Sequence, residues 1–180
     1  MSGAPATGPF AGEALRGPLA DELIGVLGRL PELAGRALSL VPISGGITNR
    51  NFRVDIAGSA ERYVLRLAGN DTHLLGISRE VEHAASVMAA GIGVGPEVAA
   101  FIRPEGYLVT RFIEGGPVDD AAVHRPETIA AVADALRRIH AGPAIPGLFV
   151  PLRIVEAYAA LAAERGVAVP PEYAREIGRA

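Results

Sequence analysis

"LSLVPISGGITNRNFRVDIAGSAERYVLRL", residues 38–67, decides the fold. Three runs within it read as β-strands, and the second and third carry the two-residue alternation of a strand. Residues 38–43 form the first, and Gly45-Gly46 break it. In "NFRVDI" (51–56), Phe52, Val54 and Ile56 share one face. "AGSAE" supplies a turn. In "RYVLRL" (62–67), Tyr63, Leu65 and Leu67 share one face, and Arg62, Val64 and Arg66 share the other. Connections this short predict antiparallel strands.

Beyond this unit, "EVAAFIRPEGYLVTRFI" (97–113) reads as two more strands around a Pro-Glu-Gly turn. Between the two groups, residues 77–93 predict a helix. Ser78 is its N-cap, Val81, Ala84, Ala85 and Met88 form an apolar stripe, and Gly91 is its stop. Upstream, Leu23, Ile24, Leu27 and Leu30 have helical spacing over 19–35, ended by Pro31. Helices are also predicted over 125–141 and 151–165. Residues 1–18, rich in Gly, Ala and Pro, read as a loose arm. The expected class is α+β: a five-stranded antiparallel sheet with one inserted helix, whose buried face rests on the helix at 78–90. Exposed apolar stripes over 127–139 and 152–161 predict self-association.

Composition narrows the chemistry. The chain has 180 residues, 49% hydrophobic, with a net charge of −3. That balance argues against a nucleic-acid binder or a polybasic membrane surface. Cys is absent, which removes disulfides and thiolate metal sites and fits a cytoplasmic protein. No apolar run reaches the length of a membrane span. All 17 basic residues are Arg. A Walker-type loop or a Schiff-base site needs Lys, so any phosphate-binding cation here must be Arg.

Two motif-like stretches fail on context. "GIGVGP" (91–96) follows a helix rather than a strand and ends in Pro, unlike a dinucleotide fingerprint. "HRPE" (124–127) lacks the Asp of a kinase catalytic loop and reads as a helix start. The four His residues show no metal-ligand spacing. Arg66, mid-strand between apolar residues, lies either on a solvated face or against a specific anion. Glu80 and Glu82 both flank the apolar stripe of the following helix, and periodicity alone does not choose between them.

The order of a glycine-containing hairpin, a cation on strand three, an acid on the next helix and then "YLVTRFIEG" resembles the small lobe of protein-kinase-like folds. The wording of "SGGITNRNFRV", "YVLRLAG", "ISREVEHA", "GVGPEV", "YLVTRFIEGGPV", "ALRRIHA" and "RIVEAYAAL" is closer to the choline/ethanolamine kinase family. That family lies within the aminoglycoside phosphotransferase superfamily, and the resemblance spans roughly residues 20–165. Its choline kinase branch commonly carries Arg where most kinases carry Lys.

The resemblance implies an ATP-dependent phosphotransferase acting on a choline-like small alcohol, with ATP and Mg²⁺ as cofactors. Ser44, Gly45, Gly46, Thr48, Asn49 and Asn51 would form a flap over the phosphates. Arg66 would bind the α- and β-phosphates, and Glu80 would hold it. Residues 110–113 would be the hinge beneath adenine, with Thr110 at its start, the Arg111 carbonyl and the Ile113 amide on the base, and Val64 against its face. Residues 19–115 would be the nucleotide-binding lobe and 116–180 the start of a helical lobe. The family's catalytic Asp loop and second metal-binding acid have no counterpart, because the last Asp is Asp134, inside a predicted helix. No catalytic residue or metal ligand is therefore expected here, and the 180 residues alone are expected to be an inactive N-terminal portion. A kinase-derived nucleotide-binding or regulatory module remains an alternative class. Aminoglycoside, thiamine and homoserine remain alternative substrates.

Overall fold

The computed structural model describes residues 13–44, 49–69, 76–116, 118–148, 150–170 and 172–173. Helix α1 (Pro18–Leu27) precedes strands β1 (Leu38–Ile43), β2 (Asn49–Ile56) and β3 (Arg62–Ala68). Helix α2 (Arg79–Gly91) follows, then β4 (Val98–Ile102) and β5 (Tyr107–Arg111). Three helices close the order: α3 (Asp120–Val123), α4 (Pro126–His140) and α5 (Pro151–Glu164). The strands form one antiparallel sheet in the order β1-β2-β3-β5-β4. The α+β class expected from the sequence is the one observed.

The alternation in 38–67 sets the register. Phe52 lies opposite Leu65 and Val54 opposite Tyr63. Leu40 faces Val54 across β1, and Val109 faces Leu65 across β5. All six are buried. A one-residue slip would turn this whole set to the other face, so the register is strongly specified. On the opposite face stand Asn49, Asn51 and Arg53 of β2, Val64 and Arg66 of β3, and Leu108 and Thr110 of β5.

The buried face rests on α1, not on α2 as expected. Leu23, Leu27 and Leu33 join Leu40, Phe52, Val54, Leu65 and Val109 in one cluster, while α2 has no buried residue. Each such side chain stabilises the fold by about 1.5–3 kcal/mol. The helix predicted over 19–35 ends at Leu27, well before Pro31, with Gly28 as its cap. Glycine is a poor helix former, and the turns after it deliver Leu33 to the core.

Helix α2 instead covers the polar face of the sheet. Ser78 caps it, accepting a hydrogen bond from the Val81 amide at 3.3 Å. Arg79, Glu82, His83, Ser86 and Ala89 turn inward, since all line hollows shared with strand residues. Counted from Arg79, these positions fall at i, i+3, i+4, i+7 and i+10, hence along one helix face. Its apolar stripe faces later chain: Val81 meets Gly147, and Met88 meets Gly142. Val87 and Met88 line an open cleft of ≈ 530 Å³ with residues 143–146. Short helix α3, absent from the sequence reading, is capped by Asp119, which accepts from the Ala122 amide at 2.6 Å. Among the described residues no helix is long and apolar enough to cross a membrane.

Candidate functional site

The site lies between the polar face of β2, β3 and β5 and the inward face of α2. Its centre is a carboxylate shared by two guanidiniums. Arg66 donates to Glu82 Oε1 at 2.8 Å, and Arg79 donates to Glu82 Oε2 at 2.6 Å. The same Arg79 nitrogen donates to Asn49 Oδ1 at 3.0 Å, at the start of β2. Burial pushes the Glu82 carboxyl up, but hydrogen bonds from Arg66 and Arg79 outweigh it and hold the group below its ordinary range.

Arg66 forms the boundary between two spaces. On one side, residues including Arg79, Glu82, His83 and Phe101 close around it and leave no room for a water molecule. The His83 and Phe101 rings stack there, with centroids 4.6 Å apart. On the other side is a pocket of ≈ 140 Å³ lined by Val64, Arg66, Ser86, Ala89, Gly95, Pro96, Leu108 and Thr110. Its lining is apolar and small apart from Arg66, Ser86 and Thr110. Gly95 lets the loop after α2 approach closely, since a Cβ there would meet the Ala89 Cβ at 3.1 Å. The arrangement presents an anchored cation beside an apolar slot, a combination suited to an anionic group on a flat ring system.

The structure gathers some of the expected site residues and separates others. Val64, Arg66 and Thr110 share the ≈ 140 Å³ pocket. Ser44, Asn49 and Asn51 line a separate hollow of ≈ 270 Å³ at the end of β1 and β2. Gly45, Gly46 and Thr48 lie outside the described residues. The Arg111 side chain points to the opposite face, over the Tyr63 ring at 4.8 Å and paired with Glu61 at 2.8 Å. The backbone amides of Arg111 and Phe112 donate to the Glu97 and Arg62 carbonyls, contacts that use neither the Arg111 carbonyl nor the Ile113 amide. Ile113 is largely exposed.

The pairing of Arg66 with Glu80 is not observed. Glu80 pairs with Arg103 at 2.7 Å on the exposed side of α2. The hydrogen bond from Arg103 holds its carboxyl below the ordinary range. Two residues along a helix turn about 200°, so Glu80 and Glu82 cannot both face β3. Sequence reasoning also passed over Arg79. Its three-residue spacing from Glu82 was the available signal, because i and i+3 are neighbours on a helix.

The family model described as "Phosphotransferase enzyme family" matches residues 39–178. No curated protein matches the chain. Among solved structures, the chain is similar to a choline/ethanolamine kinase family protein from Mesorhizobium loti. The identity is 29% and the TM-score 0.66, covering 89% of this chain and 52% of that one. A choline kinase from Cryptosporidium parvum Iowa II shares its fold, with 19% identity, a TM-score of 0.63 and coverage of 88% and 49%. So does a Plasmodium vivax ethanolamine kinase, with 20% identity, a TM-score of 0.58 and coverage of 74% and 39%. The chain spans about half the length or less of these structures.

Proposed function

Because the chain belongs to the phosphotransferase enzyme family, we propose that it supplies the nucleotide-binding lobe of an ATP-dependent phosphotransferase. The phosphoryl acceptor in this reading is a small alcohol of the choline or ethanolamine class. That class is supported by the similarity to the Mesorhizobium loti choline/ethanolamine kinase family protein. The observation that carries nucleotide binding is the position of Arg66, anchored by Glu82 and facing the slot between Val64 and Thr110.

Arg66 binds the α- and β-phosphates as a fixed cation, because a paired guanidinium keeps its orientation as well as its charge. Glu82 takes the anchoring role. The base lies against Val64 below Thr110, with its edge on the Arg111 carbonyl and the Ile113 amide. Ser44, Gly45, Gly46, Thr48, Asn49 and Asn51 cover the phosphates. Residues 19–115 form the nucleotide-binding lobe, and those after 115 lead into a helical lobe. Mg²⁺ accompanies the nucleotide in this chemistry. Among the described residues no group of three or more His, Cys, Asp or Glu fits a metal, so no step is assigned to it here.

Titration of this chain with ATP and with adenosine, followed by NMR, tests the reading. Arg66→Met should weaken ATP about tenfold, the loss of one charge-assisted contact, and leave adenosine unchanged. A wild-type chain that binds neither would refute it. ADP release by the natural gene product with choline, ethanolamine or an aminoglycoside tests the acceptor. Stimulation by the aminoglycoside alone would reject the alcohol.

A further inference from the structure

Arg79 is the first residue of α2, where a cation opposes the positive end of the helix dipole. It is nevertheless mostly shielded from solvent, with a side-chain accessibility of 16%. The β4–β5 turn closes over its stem: Gly106 has φ +70, and a Cβ there would meet the Arg79 Cγ at 3.3 Å. A cation held this firmly at an unfavourable helix position points to a task other than helix stability.

Its contacts indicate that task. One Arg79 nitrogen reaches both Asn49, where β2 starts, and Glu82, whose other oxygen holds Arg66. The start of β2 and the β3 cation are therefore joined through one side chain and one carboxylate. Between Arg66, Arg79 and Glu82 there is no room for a water molecule, while Asn49 and Arg66 at the two ends each border an open hollow, so the contacts link two spaces through a tightly packed middle.

We propose that Arg79 is a positioning residue that couples the start of β2 to the Arg66–Glu82 pair, so that phosphate contacts from β2 and from β3 form together. The proposal rests on the nucleotide reading given above for its ligand, but the coupling itself exists without one. Arg79 touches no nucleotide in this scheme. It fixes Asn49 relative to Arg66, and phosphate groups are the part of a nucleotide that needs both. Adenosine needs neither.

The test uses Arg79→Met, which keeps an apolar stem under Gly106 and removes the donors, and Arg79→Lys, which restores one cationic donor. Amide hydrogen exchange at Asn49, Arg50 and Asn51 is measured in the absence of ligand, and ATP and adenosine affinities are measured beside it. Arg79→Met should speed exchange at these amides about tenfold. It should weaken ATP about tenfold, leave adenosine within about twofold, and be partly rescued by Arg79→Lys. Equal weakening of ATP and adenosine, or unchanged exchange at the three amides, would overturn the proposal by reducing Arg79 to a structural residue. Faster exchange in a protein that binds no ATP even as wild type would uphold the coupling and overturn the nucleotide reading alone.

Discussion

Replacing Glu82 by Gln should cost more than the same change two residues earlier at Glu80. Gln keeps the side-chain shape and removes the charge. At position 82 it weakens two charge-assisted hydrogen bonds, from Arg66 at 2.8 Å and from Arg79 at 2.6 Å. Such bonds contribute about twice what neutral ones do. The Arg79–Glu82 pair is well shielded, with side-chain accessibilities of 16% and 22%, so its weakening costs about 1 kcal/mol. The Arg66 side chain is 42% exposed, and solvent screening reduces its share to about 0.5 kcal/mol. The sum, about 1.5 kcal/mol, lowers Tm by roughly 3–6 °C for a chain of this size. Glu80 and Arg103 are both more than half exposed, and such ion pairs contribute little, so Glu80→Gln stays within measurement error of wild type. The pH dependence has a definite sign. The folded-state carboxyl of Glu82 lies below the ordinary value of 4.5. Its contribution is therefore fully present above that value and disappears as pH falls through the lowered folded value. Thermal unfolding of both variants at neutral pH and between pH 5 and pH 3 (a range set on the order of the unshifted Glu pKa) checks this. A Glu80→Gln protein less stable than Glu82→Gln, or a Glu82 effect that grows in acid, would refute the pairing.

Two further outcomes test the packing. Leu23→Ala, in α1 with 0% exposure, should cost about 2–5 kcal/mol in urea unfolding, whereas Val87→Ala in α2, at 48% exposure, should change stability by less than about 0.5 kcal/mol; the reverse order would return the core to the α2 side of the sheet. Gly106→Ala should cost about 1–2 kcal/mol for a left-handed backbone, and the displaced Arg79 stem should speed amide exchange at Asn49; a stability loss with no change at Asn49 would uncouple the β4–β5 turn from Arg79.

Much of the architecture was legible without coordinates. Alternation in 38–67 fixes which side chains of β2 and β3 share a face, because successive side chains in a strand point to opposite sides. Ser78 marks the start of α2 because its hydroxyl accepts from an amide that the helix leaves unpaired. The lysine-free composition left Arg as the cation that could meet a phosphate. Each of these is set by neighbours in the chain. What covers the sheet is not. The two helices α1 and α2 both carry apolar spacing, and only packing shows that Leu23 and Leu27 meet Phe52, Val54 and Leu65. The apolar stripe of α2 turns away toward residues 142–147. Its polar and small face, from Arg79 through Glu82 to Ala89, covers Arg66. The choice between Glu80 and Glu82 depends on the rotation of one helix over one strand, and contacts far apart in sequence set that rotation. Local periodicity therefore determined most of the elements, and the family resemblance pointed to Arg66 as the candidate cation. The tertiary structure alone decided which acid holds it and that Arg79 shares the task.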